Sequence, residues 1–234
     1  MSGGRRGITV AIDGPAGAGK STLAKAIARE LGYTLVDTGA IYRAVALVAR
    51  RRGIAWDDDA GLDGVVAGLE IDFAFDGGRN RVRVHGADVT DDIRTPEISQ
   101  GASLVSARPA VRAGLLELQR RLAGRGGAVL EGRDIGTVVC PDAPVKLYLD
   151  ASAEERARRR HGELVAAGKS ADLESVLADI RERDARDQSR DVAPLKPAAD
   201  AIVLDSTSLT AEEVLRIVVA AVRQAEGRAV GRAD

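Results

Sequence analysis

The sequence predicts an α/β fold, in which a parallel sheet is flanked by helices to give three α/β/α layers. Three observations lead to this prediction. Short apolar runs typical of buried parallel strands alternate with segments whose apolar residues recur at helical spacing. Two runs that alternate in period two interrupt this order near the middle of the chain, which indicates an antiparallel insert. A densely charged segment with helical spacing precedes the last strand.

The first part of the chain has a regular order of strand, loop and helix. Its predicted elements are a strand at residues 8–12, a loop at 14–19, a helix at 21–31, a strand at 33–36 and a helix at 39–52. In the second helix Ile41, Val45 and Val48 share one face, which we expect to point inward.

The antiparallel insert is predicted over residues 69–89. Its two alternating runs, EIDFAF and RVRVHG, are joined by DGGRN, a turn sequence typical of a hairpin. The remaining predicted elements are helices at 95–106 and 109–123, strands at 128–130, 145–149 and 201–204, and a last helix at 211–226. The sequence after residue 226 lacks periodicity, so we expect a frayed tail.

Composition limits the classes of partner. The chain has 234 residues, and its 35 acidic residues nearly balance its 34 basic ones, so no overall field favours nucleic acid or a membrane surface. It contains no uninterrupted apolar run of membrane-spanning length. Cys140 is the single cysteine, so no internal disulfide is possible and a reducing compartment fits best. We therefore expect a cytoplasmic protein, by default a monomer, with neither nucleic acid nor membrane as a partner.

The loop GPAGAGKS, residues 14–21, fits the pattern GxxxxGK[ST]. Its glycines allow backbone N–H groups to turn inward, which forms an anion cradle at the start of a helix. Lys20 can then reach the outer phosphates of a nucleotide, and the Ser21 hydroxyl can ligate Mg²⁺. A glycine-rich turn before a core helix is the alternative, but the flanking strand and helix favour nucleotide binding. The candidate ATP-binding residues are Gly14, Pro15, Ala16, Gly17, Ala18, Gly19, Lys20, Ser21 and Thr22.

The charged segment at residues 154–191 contains EERARRRHGEL and DIRERDARDQSRD. Charges at helical spacing predict a solvated pair of helices. Because the segment is rich in arginine and accompanies a phosphate-binding loop, a second interpretation is a lid that closes over phosphates and excludes water. Arg156, Arg159 and Arg160 are the arginines we expect such a lid to contribute.

A phosphate-binding loop does not identify the phosphoryl acceptor, because kinases, GTPases and ATP-driven motors share it. The guanine-recognition motif NKxD is absent. The chain instead contains DTGAIYR at residues 37–43, SLVSARPAVR at 103–112, EGRDIGTVV at 131–139 and RERDARDQSRDVAPL at 181–195. In this order around the loop, the motifs resemble those of bacterial cytidylate kinases, which are P-loop nucleoside monophosphate kinases, and the resemblance spans residues 8–224.

The resemblance implies a P-loop NTPase fold with a nucleoside-monophosphate-binding insert and a mobile helical lid. It also implies phosphoryl transfer from ATP, with Mg²⁺, to CMP or dCMP, giving ADP and CDP or dCDP. The implied organisation is one domain at residues 1–234, with a core at 8–62, 101–150 and 198–226, an insert at about 63–100 and a lid at about 154–191.

Residues of the acceptor site are implied in three groups. The first recognises the cytosine ring, the second lies near the ribose hydroxyls, and the third holds the acceptor phosphate or neutralises charge during transfer. In that order they are Ser103, Arg112 and Asp134; Arg183 and Asp187; and Arg43, Arg133 and Arg190, with Thr38 and Tyr42 as further CMP contacts. The implied catalytic residues are Lys20, Arg133 and Arg190.

Several of these residues also have a purely structural interpretation. Tyr42 suits the core face of an amphipathic helix equally well, and Asp187 stands at the spacing at which it would balance Arg183 on a helix. Arg112 could pair with a surface acid, and Ser103 could be an ordinary helical residue. The competing functions are a kinase for another small acceptor, such as UMP, AMP or shikimate, and a non-catalytic nucleotide switch.

The chemistry of cytosine agrees with the implied residue types. Its N4 amino group donates while N3 and O2 accept, so an aspartate can accept from N4 while arginine and serine donate. Uracil presents the opposite pattern at N3 and O4, which leaves Asp134 facing an acceptor. The CMP phosphate is already largely ionised near neutral pH, so we expect no general base. Alignment and charge stabilisation remain as the protein's contributions.

Overall fold

The structure is a computed structural model that describes residues 7–76, 79–124 and 126–230. The strands are β1 (Thr9–Asp13), β2 (Thr34–Asp37), β3 (Ile71–Asp76), β4 (Arg79–Val84), β5 (Ala87–Asp88), β6 (Ala128–Glu131), β7 (Val145–Asp150) and β8 (Ile202–Asp205). The helices are α1 (Lys20–Leu31), α2 (Thr38–Arg51), α3 (Asp59–Ala67), α4 (Pro96–Val105), α5 (Pro109–Ala123), α6 (Ala153–Ala166), α7 (Leu173–Gln188) and α8 (Ala211–Val230). A short 3₁₀ turn spans Asp92–Arg94 and a π-helix spans Ile135–Val139.

Strand β1 lies at the centre of a five-stranded sheet whose order is β2-β6-β1-β7-β8. It pairs in parallel with β6 on one side and with β7 on the other, and β7 pairs in parallel with β8. The core formed by this sheet with α1 and α8 includes Val10, Ile12, Ile27, Val218 and Val222. The predicted parallel α/β architecture is confirmed. The loop after β1 leaves the carboxyl end of the central strand, which is where open α/β sheets bind ligands.

The chain divides into two compact units. One comprises the described residues up to Leu35 and from Ala123 onward, and the other is Val36–Leu122. In the second unit α2 packs against α3 and α4. The Trp56 ring lies so close to Gly101 that a Cβ there would come within 2.4 Å of it.

The predicted insert is a three-stranded antiparallel sheet in the order β3-β4-β5. Phe73 of β3 pairs with Val82 of β4, and the pairing continues to the ends of both strands. The predicted hairpin strands are therefore confirmed. Gly77 and Gly78 of the predicted turn lie outside the described residues.

The charged segment forms α6 and α7, which pack against each other. A small apolar cluster of Ala157, Val176 and Ile180 lies between them, while most other residues of the pair are exposed. The prediction of a solvated helix pair is confirmed.

Helices α8 and α3 differ from the sequence-based expectation. The tail was expected to fray after residue 226, but α8 continues to Val230, because extending an existing helix by one turn costs far less than nucleating one. Helix α3 was not predicted, since two glycines weaken its pattern. It is nevertheless capped by Asp58, which accepts from the Gly61 N–H at 3.0 Å, and it buries Leu62 and Val65.

Within the described residues, no helix combines the length and the apolar character needed to cross a membrane.

Candidate active site

The loop between β1 and α1 has the conformation that its glycines permit. Gly14, Gly17 and Gly19 have φ values of 144°, 78° and 93°. A Cβ at Gly14 would lie 1.9 Å from the Leu149 carbonyl oxygen, so no other residue fits there. Helix α1 begins at Lys20 with no acidic residue in its first turn. Its free N–H groups and dipole therefore favour an anion, and the loop fits the phosphates of a nucleotide.

Lys20 lies inside this loop and is only 6% exposed. Its ammonium group donates to the Pro15 carbonyl oxygen at 2.6 Å. Burial lowers the pKa of Lys20 well below its usual value and Arg133 lowers it further, while Glu131 opposes the shift. An incoming polyphosphate would stabilise the charged form that this environment disfavours.

A buried carboxylate faces the loop from the neighbouring strand. Glu131 is the last residue of β6, and its Oε2 accepts from the Ser21 hydroxyl at 2.7 Å. Glu131 stands in the motif EGRDIGTVV, and no role is predicted for it from the sequence. The signal that could have found it is an acidic residue at the carboxyl end of an apolar strand. A hydroxyl and a carboxylate are oxygen ligands of the kind that Mg²⁺ prefers. Among the described residues, no cluster of three or more His, Cys, Asp and Glu offers an alternative metal site.

Three of the implied acceptor residues meet around one buried carboxylate. Asp187 is 1% exposed, and its Oδ2 accepts from Arg133 Nε at 2.8 Å while its Oδ1 accepts from Arg190. Burial alone would raise the pKa of Asp187, but Arg133 and Arg190 outweigh it and hold the pKa below its usual value. Arg183 contributes in the same direction from the same helix. The carboxylate thus orients two arginines; its contact with a ribose stays a prediction.

Arg43 is held by the residue that caps its own helix. Asp37 accepts from the Ala40 N–H at 2.9 Å, and its other oxygen accepts from Arg43 Nη2 at 2.7 Å. A Cβ at Gly39 would lie 3.1 Å from both side chains. Thr38, the first residue of α2, is buried beside them in the chain. The motif DTGAIYR therefore fixes the direction of one arginine.

The implied base-recognising residues of the Val36–Leu122 unit are buried. Ser103 lies on α4 and Arg112 on α5, where Arg112 Nη1 donates to the Ser106 carbonyl oxygen at 3.1 Å. The Arg112 guanidinium lies 5.5 Å from the centroid of the Tyr42 ring, a cation–π distance. Arg112 is thus a buried arginine, and Tyr42 both packs in the core and contacts it.

Asp134 belongs to the other unit. It is 4% exposed and stands between β6 and the π-helix, directly after Arg133. Its backbone carbonyl accepts from the N–H groups of Val138 and Val139. The structure thus places Asp134 and Arg133 on one short segment that leaves the sheet next to the phosphate-binding loop.

The three candidate lid arginines have different surroundings. Arg156 is buried; it donates to the Ala16 and Ala151 carbonyl oxygens at 3.1 and 2.8 Å and pairs with Asp184 at 2.7 Å. Arg159 pairs with Glu155 and donates to Ser206, and Arg160 pairs with Glu163 on the exposed face of α6. Of these three, Arg156 donates to the phosphate-binding loop, at the Ala16 carbonyl oxygen.

Comparisons with known proteins agree with this geometry. The family model described as "Cytidylate kinase" matches residues 10–224. The chain is 57% identical to the cytidylate kinase of Geobacter sp. strain M21, over 93% of this chain and 94% of that protein. It is 55% identical to the cytidylate kinase of Geobacter sulfurreducens, over 95% and 96% of the two chains. A crystal structure of an uncharacterized protein from Eubacterium ventriosum shares the fold, with a TM-score of 0.53, 12% identity and coverage of 92% of this chain and 98% of that one. The chain belongs to the cytidylate kinase family.

Proposed function

We propose that this protein transfers the γ-phosphoryl group of ATP to CMP or dCMP, giving ADP and CDP or dCDP. The observation that carries the proposal is identity above 50% to curated cytidylate kinases along more than nine tenths of the chain. The glycine cradle, the buried Lys20 and the arginines around Asp187 supply the groups that such a reaction requires.

On the donor side, the loop and Lys20 act by position and charge. The N–H groups at the start of α1 bind the phosphates of ATP, and Lys20 exchanges its bond with the Pro15 carbonyl oxygen for contacts with the outer phosphates. Its positive charge then offsets the negative charge that develops during transfer. No proton needs to be removed from the acceptor phosphate by the protein.

On the acceptor side, we assign the roles that the resemblance to cytidylate kinases implies. Ser103, Arg112 and Asp134 recognise cytosine, Arg183 and Asp187 lie near the ribose, and Thr38 and Tyr42 complete the contacts with CMP. Arg43, Arg133 and Arg190 hold the acceptor phosphate. Asp187 supports this arrangement because its two ion pairs fix the guanidinium groups of Arg133 and Arg190 before substrate arrives.

Mg²⁺ is proposed as the cofactor, with Ser21 and Glu131 as the residues that hold it. When bound, Mg²⁺ would neutralise charge on the donor phosphates. We expect EDTA to stop turnover, and Ser21→Ala or Glu131→Gln to raise the Mg²⁺ concentration that gives half-maximal rate. Glu117→Gln, at an exposed position of α5, is the control. Measurement is by Mg²⁺ titration at fixed ATP, and unchanged half-maximal concentrations in both variants would point to other ligands.

The organisation and setting of the protein are also proposals. We assign residues 63–100 as the monophosphate-binding insert and residues 154–191 as a lid, within one domain that acts as a monomer in the cytoplasm. The position of Arg156, bonded to Ala16 of the phosphate-binding loop, supports a lid that senses the donor.

An acceptor panel tests the proposed function. Purified protein, ATP and MgCl₂ are incubated with CMP, dCMP, UMP, AMP or shikimate, and ADP release is followed in a coupled assay. We expect CMP and dCMP to give the highest kcat/KM. Preference for another acceptor would assign a different kinase specificity, and slow ATP hydrolysis that no acceptor accelerates would indicate a nucleotide switch.

A further inference from the structure

Asp13 is a buried carboxylate that the proposed reaction does not use. It is the last residue of β1, directly before Gly14, and it is 3% exposed. Its Oδ1 accepts from the Ile135 N–H and its Oδ2 from the Gly136 N–H, each at 2.7 Å. Both carboxylate oxygens are thus directed at one short piece of backbone more than 120 residues away in the chain.

That backbone is the start of the π-helix Ile135–Val139. The first N–H groups of a helix have no partner within it, and an aspartate at the residue before the helix commonly accepts from them. Asp134 occupies that position, but its side chain does not cap the N–H groups of this helix. Asp13 caps the helix instead, from a different strand. A Cβ at Gly136 would lie 3.2 Å from the Lys146 side chain and 3.4 Å from Asp13 Oδ2, so the start of the π-helix passes close to both side chains.

We propose that Asp13 is a positioning residue that fixes the backbone of Arg133 and Asp134 by capping the π-helix that follows them. The inference rests on the proposed function, because it concerns the same acceptor site. Arg133 is then held at two points, through its backbone by the Asp13 cap and through its guanidinium by Asp187. Because Asp13 accepts from the first N–H groups of the π-helix, the Asp134 side chain is not needed as the cap.

The first test is Asp13→Asn, which keeps the size of the side chain. An amide has one acceptor oxygen, and its NH₂ group would face one of the two backbone donors. Loss of one charge-assisted bond should lower kcat/KM for CMP by about 10- to 100-fold. The KM for ATP should stay within about threefold, because the proposed effect lies on the acceptor side. Asp58→Asn, the same substitution at the residue that caps α3, is the matched control and should retain activity.

A double-mutant cycle separates positioning from general destabilisation. Wild type, Asp13→Asn, Arg133→Gln and the double variant are compared by kcat/KM for CMP. If Asp13 acts through Arg133, the double variant should lose little more than Arg133→Gln alone, whereas independent effects would multiply. Amide hydrogen exchange at Ile135 and Gly136 should also accelerate in Asp13→Asn, while exchange in α1 should stay unchanged.

Several results of these experiments would overturn the proposal. Multiplicative losses, or a raised KM for ATP with unchanged kcat, would overturn the proposal in favour of a role in the phosphate-binding loop. If Asp13→Asn does not fold, Asp13→Ser, whose hydroxyl still offers one acceptor, replaces it. Failure of both to fold would assign Asp13 to fold stability and also overturn the proposal. Wild type without activity on CMP would instead refute the proposed function, and the exchange measurement would still report on the cap.

Discussion

Lys20 lies in surroundings that disfavour its charged form when no ligand is bound. Burial, and after it the charges of Arg133 and Arg183, lower the pKa of Lys20. Its ammonium group donates to the Pro15 carbonyl oxygen of its own loop. We expect Lys20→Ala to lower kcat by about 100-fold or more, the scale seen when one transition-state donor is removed. The fold should survive, because the substitution removes a desolvated charge rather than core packing.

The measurement is kcat with ATP and CMP, with circular dichroism and thermal melting as checks of folding. Lys25→Ala, on the same helix, is the control and should retain near wild-type turnover. Near wild-type kcat in Lys20→Ala would remove Lys20 from the catalytic residues.

A substitution of Asp134 tests the proposed preference for CMP over UMP. An aspartate accepts from cytosine N4 and opposes uracil O4, whereas an asparagine can donate to O4. Asp134→Asn should therefore lower kcat/KM for CMP much more than for UMP. Losing the matched contact costs about 1–3 kcal/mol, so the CMP/UMP ratio should narrow about 5- to 150-fold.

The ratio is measured at fixed ATP and Mg²⁺, with Asp142→Asn on an exposed turn as the control. Equal losses for both acceptors would make Asp134 a structural carboxylate and leave Ser103 and Arg112 as the proposed base-recognising residues.

Residues whose role is encoded locally could be predicted from the sequence. Lys20 and Ser21 stand in a contiguous motif, and in the structure Lys20 donates to the Pro15 carbonyl oxygen and Ser21 to Glu131. Glu131 and Asp13 were not recognised, because their roles arise from contacts that join residues more than 100 positions apart. No local pattern distinguishes such a carboxylate from any acid at the end of a strand.

At the level of elements, hydrophobic periodicity located the long helices and the buried strands. The π-helix Ile135–Val139 was not predicted, because five residues are too few to show a period and its first N–H groups are capped from another strand. Helix α3 was missed for a related reason: it buries only Leu62 and Val65, so its apolar stripe is too short to stand out.

Helix α6 is anchored by one buried arginine. Arg156 pairs with Asp184 of α7 and donates to two backbone carbonyls, one of them in the phosphate-binding loop. Arg156→Ala would leave the largely buried Asp184 carboxylate without its partner. Breaking a buried ion pair in this way costs about 3 kcal/mol. We therefore expect a loss of that order in the free energy of unfolding.

Urea unfolding of wild type and variant measures this loss. Arg160→Ala is the control, because its pair with Glu163 is exposed and should contribute no more than about 0.5 kcal/mol. Equal losses in the two variants would show that the contacts of Arg156 do not anchor the helix.

On the scale of the whole molecule, strand order explains why distant motifs meet. β1 and β6 are neighbours in a parallel sheet, with Ile12 in register with Glu131. The carboxyl ends of both strands therefore lie at one edge, and the loops that follow them carry Lys20 and Arg133. The motifs around residues 14–21 and 131–139 are separate in the chain but adjacent in the sheet.

The same sheet edge makes the stability of the protein depend on pH through Asp13. Burial raises the pKa of Asp13 from 3.8 to about 6, despite the bonds from Gly136 and Ile135, which lower it. A carboxyl whose pKa is higher in the folded state than in the unfolded chain stabilises the fold at low pH, and this contribution is lost as pH rises through about 6.

The free energy of unfolding of wild type, minus that of Asp13→Asn, should therefore fall by about 1 kcal/mol between pH 5 and pH 7. Subtracting the variant removes the titration of the groups that do not interact with Asp13, and urea unfolding at several pH values gives both free energies. A difference that does not change with pH would mean that Asp13 stays ionised throughout, and that its two backbone bonds outweigh the cost of its burial.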